Sequence, residues 1–146
     1  MTLFDSHCHL QDDRLLPRLE EVLSRAREAG VVDMLCCATG ESDWITVLEI
    51  AGRHPGRVIP ALGIHPWYLD DRTPDALHRL TRLLADHPEA AVGEIGLDHA
   101  VSPRRDEEQE ALFAAQLDLA AEEERPVSVH CRQAWGRLVE LLDTAP

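Results

Sequence analysis

Histidines and a glutamate recur in the sequence directly after short apolar runs. His7 and His9 are separated by one residue, and residues at positions i and i+2 of an extended segment point to the same side. His65, Glu94 and His130 follow three later apolar runs. Neutral imidazole and carboxylate groups suit Zn²⁺, Mn²⁺, Fe²⁺ and related divalent ions. The residue types and their spacing therefore predict a metal-binding site.

The predicted site also indicates a class of reaction. A carboxylate such as that of Glu94 has two oxygens and can bridge two ions, which at about 3.5–4 Å apart activate water and hold a phosphate or ester oxygen. Taken alone, a histidine at the end of a strand is more often structural, and residues 93–96 are compatible with a solvent-facing turn. The occurrence of all these residues at successive strand ends favours the metal site.

The elements that must position these residues alternate regularly. Apolar and β-branched runs predict five strands, at residues 3–7, 31–38, 58–64, 90–95 and 127–131. Helical periodicity and stop signals predict a helix after each strand, at residues 15–29, 43–54, 73–87, 106–124 and 134–142. This pattern is typical of an α/β fold with a parallel sheet covered by helices. In such sheets the carboxyl ends of the strands lie at one edge, where active sites form.

Two architectures accommodate five consecutive βα units. An open doubly wound sheet is complete at this length, whereas a (β/α)₈ barrel typically needs about 250 residues. Length and pattern alone therefore favour the open sheet. In either case residues 1–146 form one domain of ordinary size.

Composition limits the partners and the location. The formal net charge of −13 argues against a broad electropositive groove for nucleic acid, although bound cations can still attract a phosphate substrate. The sequence has no apolar run long enough for a membrane span and no recognisable signal peptide. Its four cysteines include no C-x-x-C pair and fit a reducing compartment. We therefore expect a cytoplasmic protein without a membrane partner.

Residues 4–10, 62–66, 92–98 and 129–132 resemble, in order and spacing, successive signature segments of the TatD family. Residues 113–117 are similar to the family's helix before the fifth strand. The resemblance covers essentially the whole chain and corresponds to the N-terminal part of the family's domain. It implies a TIM-barrel-type fold of amidohydrolase-like metallohydrolases, with about five of the eight (β/α) units present. The motifs thus point to the barrel rather than to the open sheet.

The resemblance also implies the ligands of two divalent ions, such as Mg²⁺, Mn²⁺ or Zn²⁺. His7 and His9 would bind the first ion, His130 the second, and the catalytic Glu94 would bridge both. Many related barrels bridge their metals with a carboxylated lysine, but this chain contains no lysine. The glutamate bridge of the TatD family is the arrangement that remains.

Further site residues follow from the same resemblance. Asp5 and Asp98 would support or line the site. His65 and Arg132 would contact substrate phosphate, Arg132 through its forked donors. Two more metal-site residues of the family, a histidine and an aspartate, belong to units beyond these five.

The resemblance implies a metal-dependent deoxyribonuclease that hydrolyses DNA or another phosphoester with metal-activated water. One alternative is a related hydrolase of a non-nucleic-acid ester or amide. Another is an inactive fragment that acts as a binding or assembly partner, with self-association through open sheet edges. A nucleophilic Cys8 or Cys131 is disfavoured, because strand alternation turns each sulfur away from the adjacent histidine.

Overall fold

The computed structural model describes residues 1–145. Five parallel strands form one sheet, in which the strands lie side by side in chain order, β1-β2-β3-β4-β5. The strands are β1 (Leu3–Cys8), β2 (Val31–Cys37), β3 (Val58–Leu62), β4 (Ala91–Asp98) and β5 (Val127–Arg132). The helices are α1 (Leu19–Glu28), α2 (Trp44–Arg53), α3 (Ala76–Asp86), α4 (Asp106–Glu122) and α5 (Trp135–Thr144). Short 3₁₀ helices lie at Leu16–Arg18 and Pro66–Tyr68. None of the helices described is long and apolar enough to cross a membrane.

The strand order decides between the two architectures. In a doubly wound sheet the order reverses at a switch point, whereas strands of a (β/α)₈ barrel follow one another sequentially. Every neighbouring pair here is parallel and sequential, from β1 with β2 to β4 with β5. The open sheet that length and pattern favoured is therefore wrong. Length and pattern could not exclude it, because both architectures use the same βα unit and chain length does not set strand order.

The predicted elements agree with the structure except near their ends. β4 continues to Asp98, three residues beyond the predicted end, because its last residues remain paired with β5 up to Arg132. Asp98 is therefore held on a strand rather than in a loop. α1 begins at Leu19, later than predicted, and a 3₁₀ turn that contains Pro17 precedes it.

The two faces of the sheet have different neighbours. One face packs against the helices and forms the main core, which includes Leu23 of α1, Ile50 of α2, Leu84 of α3 and Phe113 of α4. Burial of each of these side chains stabilises the fold by about 1.5–3 kcal/mol. The other face, here called the inner face, carries a small cluster of Cys37, Ala61, Ala91 and Leu35.

Strand alternation distributes the polar and apolar residues of β1 and β5 between these faces. Cys8, Val129 and Cys131 pack against the helix-side core. Their neighbours His7 and His130 consequently point toward the inner face. The Cys8 thiol donates to the carbonyl of β2 residue 35 rather than to a histidine, which agrees with the expectation that its sulfur faces away.

Candidate metal centre

All four predicted ligands meet at the carboxyl edge of the sheet. Glu94 on β4 lies at the centre, with Oε2 3.0 Å from Nε2 of His7 and 3.3 Å from Nε2 of His9. Its other oxygen, Oε1, lies 2.9 Å from Nδ1 of His130. The two carboxylate oxygens thus face different histidines, as a bridge between two cations requires.

The donor atoms of His7, His9 and Glu94 form one group that fits a cation. They lie within 4.8 Å of one another, and the two Nε2 atoms are 3.2 Å apart. The opposite ring nitrogens are occupied, because Nδ1 of His7 lies 2.9 Å from Ser128 Oγ and Nδ1 of His9 lies 2.7 Å from the carbonyl oxygen of Cys37. Metal-binding histidines characteristically donate their second N–H to such oxygens, so this arrangement would leave the Nε2 atoms of His7 and His9 to hold a cation.

His65, Glu94 and His130 offer a second group of donor atoms within 4.8 Å. Nδ1 of His65 accepts a hydrogen bond from the backbone N–H of Trp67 at 3.1 Å. That bond assigns the ring proton to Nε2, which lies 3.7 Å from Glu94 Oε1. Burial lowers the pKa of His65 to about 4, so the ring is neutral near pH 7. His65 therefore presents an N–H donor to the cavity.

His130 is held between two carboxylates. Its Nε2 lies 3.0 Å from Oδ2 of Asp98, while Nδ1 contacts Glu94. The same Oδ2 accepts from Nε1 of Trp67 at 2.7 Å, and Oδ1 accepts from the backbone N–H groups of Ala100 and Val101. Asp98 is fully buried, so these bonds compensate for the loss of water around its charge.

The side chains that would bind cations also bind protons, as their pKa values indicate. Burial raises the pKa of Glu94, but hydrogen bonds from His130, His7 and His9 outweigh burial and hold this pKa well below its usual range. The Cys37 thiol and the Glu94 carboxylate raise the pKa of His7 to about 10. The pKa of His9 is raised mainly by Glu94. The cluster therefore concentrates negative charge that either protons or metal ions can neutralise.

The glycines beside Glu94 explain how β5 approaches β4 so closely. A Cβ atom on Gly93 would lie 2.8 Å from the Cβ of Ser128. Gly96 has φ of +145°, and a Cβ there would collide with the backbone carbonyl of His130. Only glycine combines this positive φ with the absence of a Cβ atom, and residue 96 requires both. The Gly-Glu-Ile-Gly motif thus serves the contact between Glu94 and His130.

Two buried glutamines on α4 hold the strand ends that carry the site. Gln116 bonds both the N–H and the carbonyl of Ile64, at 2.7 and 3.2 Å. Gln109 bonds both backbone groups of Asp98, at 2.7 and 2.9 Å. Neither role was predicted, although a spacing of seven residues places both amides on one helix face.

The two remaining predicted residues lie outside the central cluster. Oδ1 of Asp5 accepts from the backbone N–H of His7 at 3.2 Å, so this carboxylate contacts the ligand strand rather than an ion-binding atom. Arg132 ends β5 with an exposed side chain and is not among the residues that line the cavity. The structure brings the other six predicted residues together.

A cavity of about 700 Å³ opens above the cluster and is large enough for a small ligand. Trp67 and Tyr68, from the 3₁₀ helix after β3, form part of its wall. Ser128 and Trp67 are two further contributors that were not predicted from the sequence. Alternation along β5 places Ser128 on the same side as His130, and Trp67 follows the 62–66 motif directly, so both carried a local signal.

Comparison with known proteins identifies the relatives of this chain. The family model of TatD related DNase matches residues 4–146. The 3'-5' ssDNA/RNA exonuclease TatD of Pantoea ananatis (strain LMG 20103) is 35% identical over 141 residues, 97% of this chain and 54% of that protein. The exonuclease of the same name from Musicola paradisiaca (strain Ech703) is 38% identical over 141 residues, 96% of this chain and 53% of that protein. The chain thus spans about half the length of these curated relatives.

Solved structures agree with this result. YjjV, a TatD homologue from Escherichia coli K12, matches with a TM-score of 0.91 at 32% identity, over 97% of this chain and 55% of that one. A TatD-family hydrolase from Entamoeba histolytica matches with a TM-score of 0.87 at 21% identity, over 99% of this chain and 54% of that one, which shows the fold alone. The resemblance carried by the four motifs and the barrel-type fold of five βα units are confirmed. The chain belongs to the TatD-related DNase family.

Proposed function

We propose that this chain carries the metal centre of a hydrolase that cleaves phosphodiester bonds in single-stranded nucleic acid. The observation that carries the proposal is the position of Glu94, whose Oε2 faces His7 and His9 while Oε1 faces His130. Family membership supports it, since curated relatives at 35% and 38% identity are named 3'-5' ssDNA/RNA exonucleases.

In this proposal His7, His9 and Glu94 hold one divalent ion, while Glu94 and His130 contribute to a second. The ions, when bound, supply Lewis-acid activation of water and neutralise charge on the phosphoryl oxygens. Glu94 fits the bridging position because its pKa is held low and it stays ionised. Asp98 positions His130 through the bond to Nε2.

The substrate phosphate is proposed to lie against His65 and Arg132. His65 is neutral and directs an N–H into the cavity, so it donates a hydrogen bond to a phosphoryl oxygen without a counter-charge. Arg132 stands at the same carboxyl edge and offers forked donors to a phosphate that extends beyond the cavity. Asp5 supports the backbone at His7 by accepting a hydrogen bond from its N–H.

A related hydrolase of a non-nucleic-acid ester or amide is the second candidate. The formal net charge of −13 favours it, because a strongly negative chain repels long polyanions. Asp12 and Asp13 add negative charge at the cavity wall. A small neutral ester would enter without this repulsion.

The two candidates are separated by one set of assays on the purified chain with Mn²⁺. An end-labelled single-stranded DNA oligonucleotide is incubated beside a panel of lactones and amides, with a chelator control. We expect stepwise cleavage of the oligonucleotide, abolished by the chelator and by Glu94→Gln. Glu89→Gln, a similar change at a residue outside the cavity, is expected to retain activity. Turnover of a lactone without DNA cleavage would favour the second candidate.

Binding of Mn²⁺ is measured separately by calorimetry, so that metal loading and turnover are read independently. Metal binding without turnover of any substrate would identify the chain as a binding or assembly partner. Absence of metal binding would contradict the proposal altogether.

We also propose that edge strands β1 and β5 mediate association between copies of this chain. Exposed apolar side chains stand on both strands, with Phe4 52% and Val127 40% exposed. Edge strands expose unpaired backbone groups that pair readily with another chain. Light scattering after gel filtration tests this idea. We expect a dimer or larger species that Phe4→Glu weakens, and a monomer at all concentrations would contradict it.

A reducing, cytoplasmic location is proposed on the basis of the thiols. All four cysteines in the described part of the chain are free, although Cys8 and Cys36 are register partners on neighbouring strands. An oxidising compartment would expose such neighbouring thiols to cross-linking. Cell fractionation with an antibody against the chain tests the location, and recovery outside the cytoplasmic fraction would contradict it.

A further inference from the structure

Trp67 stands at the wall of the cavity with 52% of its surface exposed. Trp44, by contrast, is buried in the core at 1% exposure. Exposure by itself assigns no role to a side chain. The role of Trp67 is instead inferred from the contacts of its indole and from the charge of the cavity.

The indole is fixed rather than free to turn. Its Nε1 donates to Oδ2 of Asp98 at 2.7 Å, and this carboxylate is itself fully buried. The ring centroid lies 5.0 Å from that of His65 at 78° and 6.3 Å from that of His130 at 68°. These near-perpendicular angles mean that neither imidazole stacks on the indole. A rigid aromatic surface is thus available beside the metal centre.

The charges around the cavity limit how a nucleic acid could be held there. Among the described residues that line it, Arg14 is the one arginine, and it already pairs with Asp12 at 2.8 Å. Asp13 and Asp43 line the cavity as well. Attraction to the phosphate backbone, the usual source of affinity, is therefore weak on this surface. Apart from the proposed metal ions and Arg132, binding on this surface would gain from a contact that does not depend on charge.

We propose that Trp67 is a stacking platform for a nucleobase adjacent to the phosphate at the metal centre. The inference rests on the proposed nuclease function and adds a binding contact to it. Base stacking on an aromatic side chain tolerates every base, because each base presents a π-face. Such a contact suits an enzyme that acts on single strands without regard to sequence, and it requires an unpaired, accessible base.

The test compares two phosphorothioate-linked oligonucleotides of equal length and charge, one with bases throughout and one abasic at its terminal residues. Their affinities for the chain are measured with Mn²⁺ by fluorescence anisotropy. We expect the wild type to prefer the base-bearing strand by about 5- to 150-fold. Trp67→Ala should lose this preference, whereas Trp67→Phe, which keeps an aromatic face but no N–H, should retain most of it. Trp135→Ala, a change to another exposed tryptophan outside the cavity, should retain it fully.

Three results would overturn the inference: equal affinity of the wild type for both strands, an unchanged preference in Trp67→Ala, or equal losses in the Ala and Phe variants. The last would mean that the residue acts only through its bond to Asp98. Cleavage of the unmodified oligonucleotide by the wild type is read in parallel. Its absence counts against the proposed function, while a base preference without cleavage would still support stacking.

Discussion

Replacing Ser128 with alanine removes the hydroxyl oxygen that lies 2.9 Å from Nδ1 of His7, without adding volume. This contact keeps Nε2 of His7 directed at Glu94, 3.0 Å away. Loss of such a partner behind a metal-binding histidine lowers metal affinity by about 10- to 100-fold. We expect the low end, about tenfold, because the Cys37 thiol lies 3.6 Å from the same Nδ1 and partly replaces the hydroxyl.

The double variant Ser128→Ala/Cys37→Ala removes both partners of this nitrogen, and its Mn²⁺ affinity should fall by about 100-fold, or about 2.7 kcal/mol. Calorimetric titration at one fixed pH measures both variants. Ser24→Ala is the matched control, because Ser24 lies on α1 and bonds only Glu28 among the described residues. Circular dichroism verifies that each variant is folded.

An Mn²⁺ affinity within twofold of the wild type in the double variant would refute this reasoning. It would show that the orientation of His7 is set by the strand and not by its hydrogen-bond partners. A uniform loss in all variants, including Ser24→Ala, would point instead to a general effect on folding.

Three further changes test the support of the site. Gly96→Ala places a Cβ against the backbone carbonyl of His130 at φ of +145°. We therefore expect the free energy of unfolding in urea to fall by at least about 2 kcal/mol. A midpoint like that of the wild type would contradict this. Gln116→Leu leaves the backbone N–H and carbonyl of Ile64 without their partners, so the free energy of unfolding should fall by about 2–4 kcal/mol in the same assay. The control Gln133→Leu, at an exposed position, should show no loss. Because the pKa of His7 is raised from 6.5 to about 10, its contribution to metal-free stability is complete below pH 6.5 and is lost as pH rises toward 10. Mn²⁺ must displace the same proton, so Mn²⁺ affinity should increase over that range, and a flat calorimetric profile would contradict the assignment.

Local pattern was sufficient to predict the βα units. Each strand is a short apolar run and each helix has its own periodicity and stop signals, and both depend on residues close in sequence. The ends of elements were less accurate. β4 extends to Asp98 because β5 pairs with it there, and that pairing involves residues more than 30 positions away.

The choice between an open sheet and a barrel could not be made from pattern and length. Both architectures repeat the same unit, and only the order in which strands lie side by side distinguishes them. The motifs favoured the barrel through a family resemblance, and the sequential order of the five strands agrees with it.

The sequence by itself determined the α/β fold class. It also indicated that His7, His9, Glu94 and His130 lie near one another, because the carboxyl ends of parallel strands must lie at one edge of the sheet. Tertiary structure decided which atoms face one another. Ser128 is 121 residues from His7, yet its hydroxyl oxygen lies 2.9 Å from Nδ1 of that ring. Trp67, in the 3₁₀ helix after β3, acquires its fixed position from Asp98 at the end of β4. Such contacts depend on the approach of β5 to β4 and on the packing of loops over the edge, which no local pattern encodes.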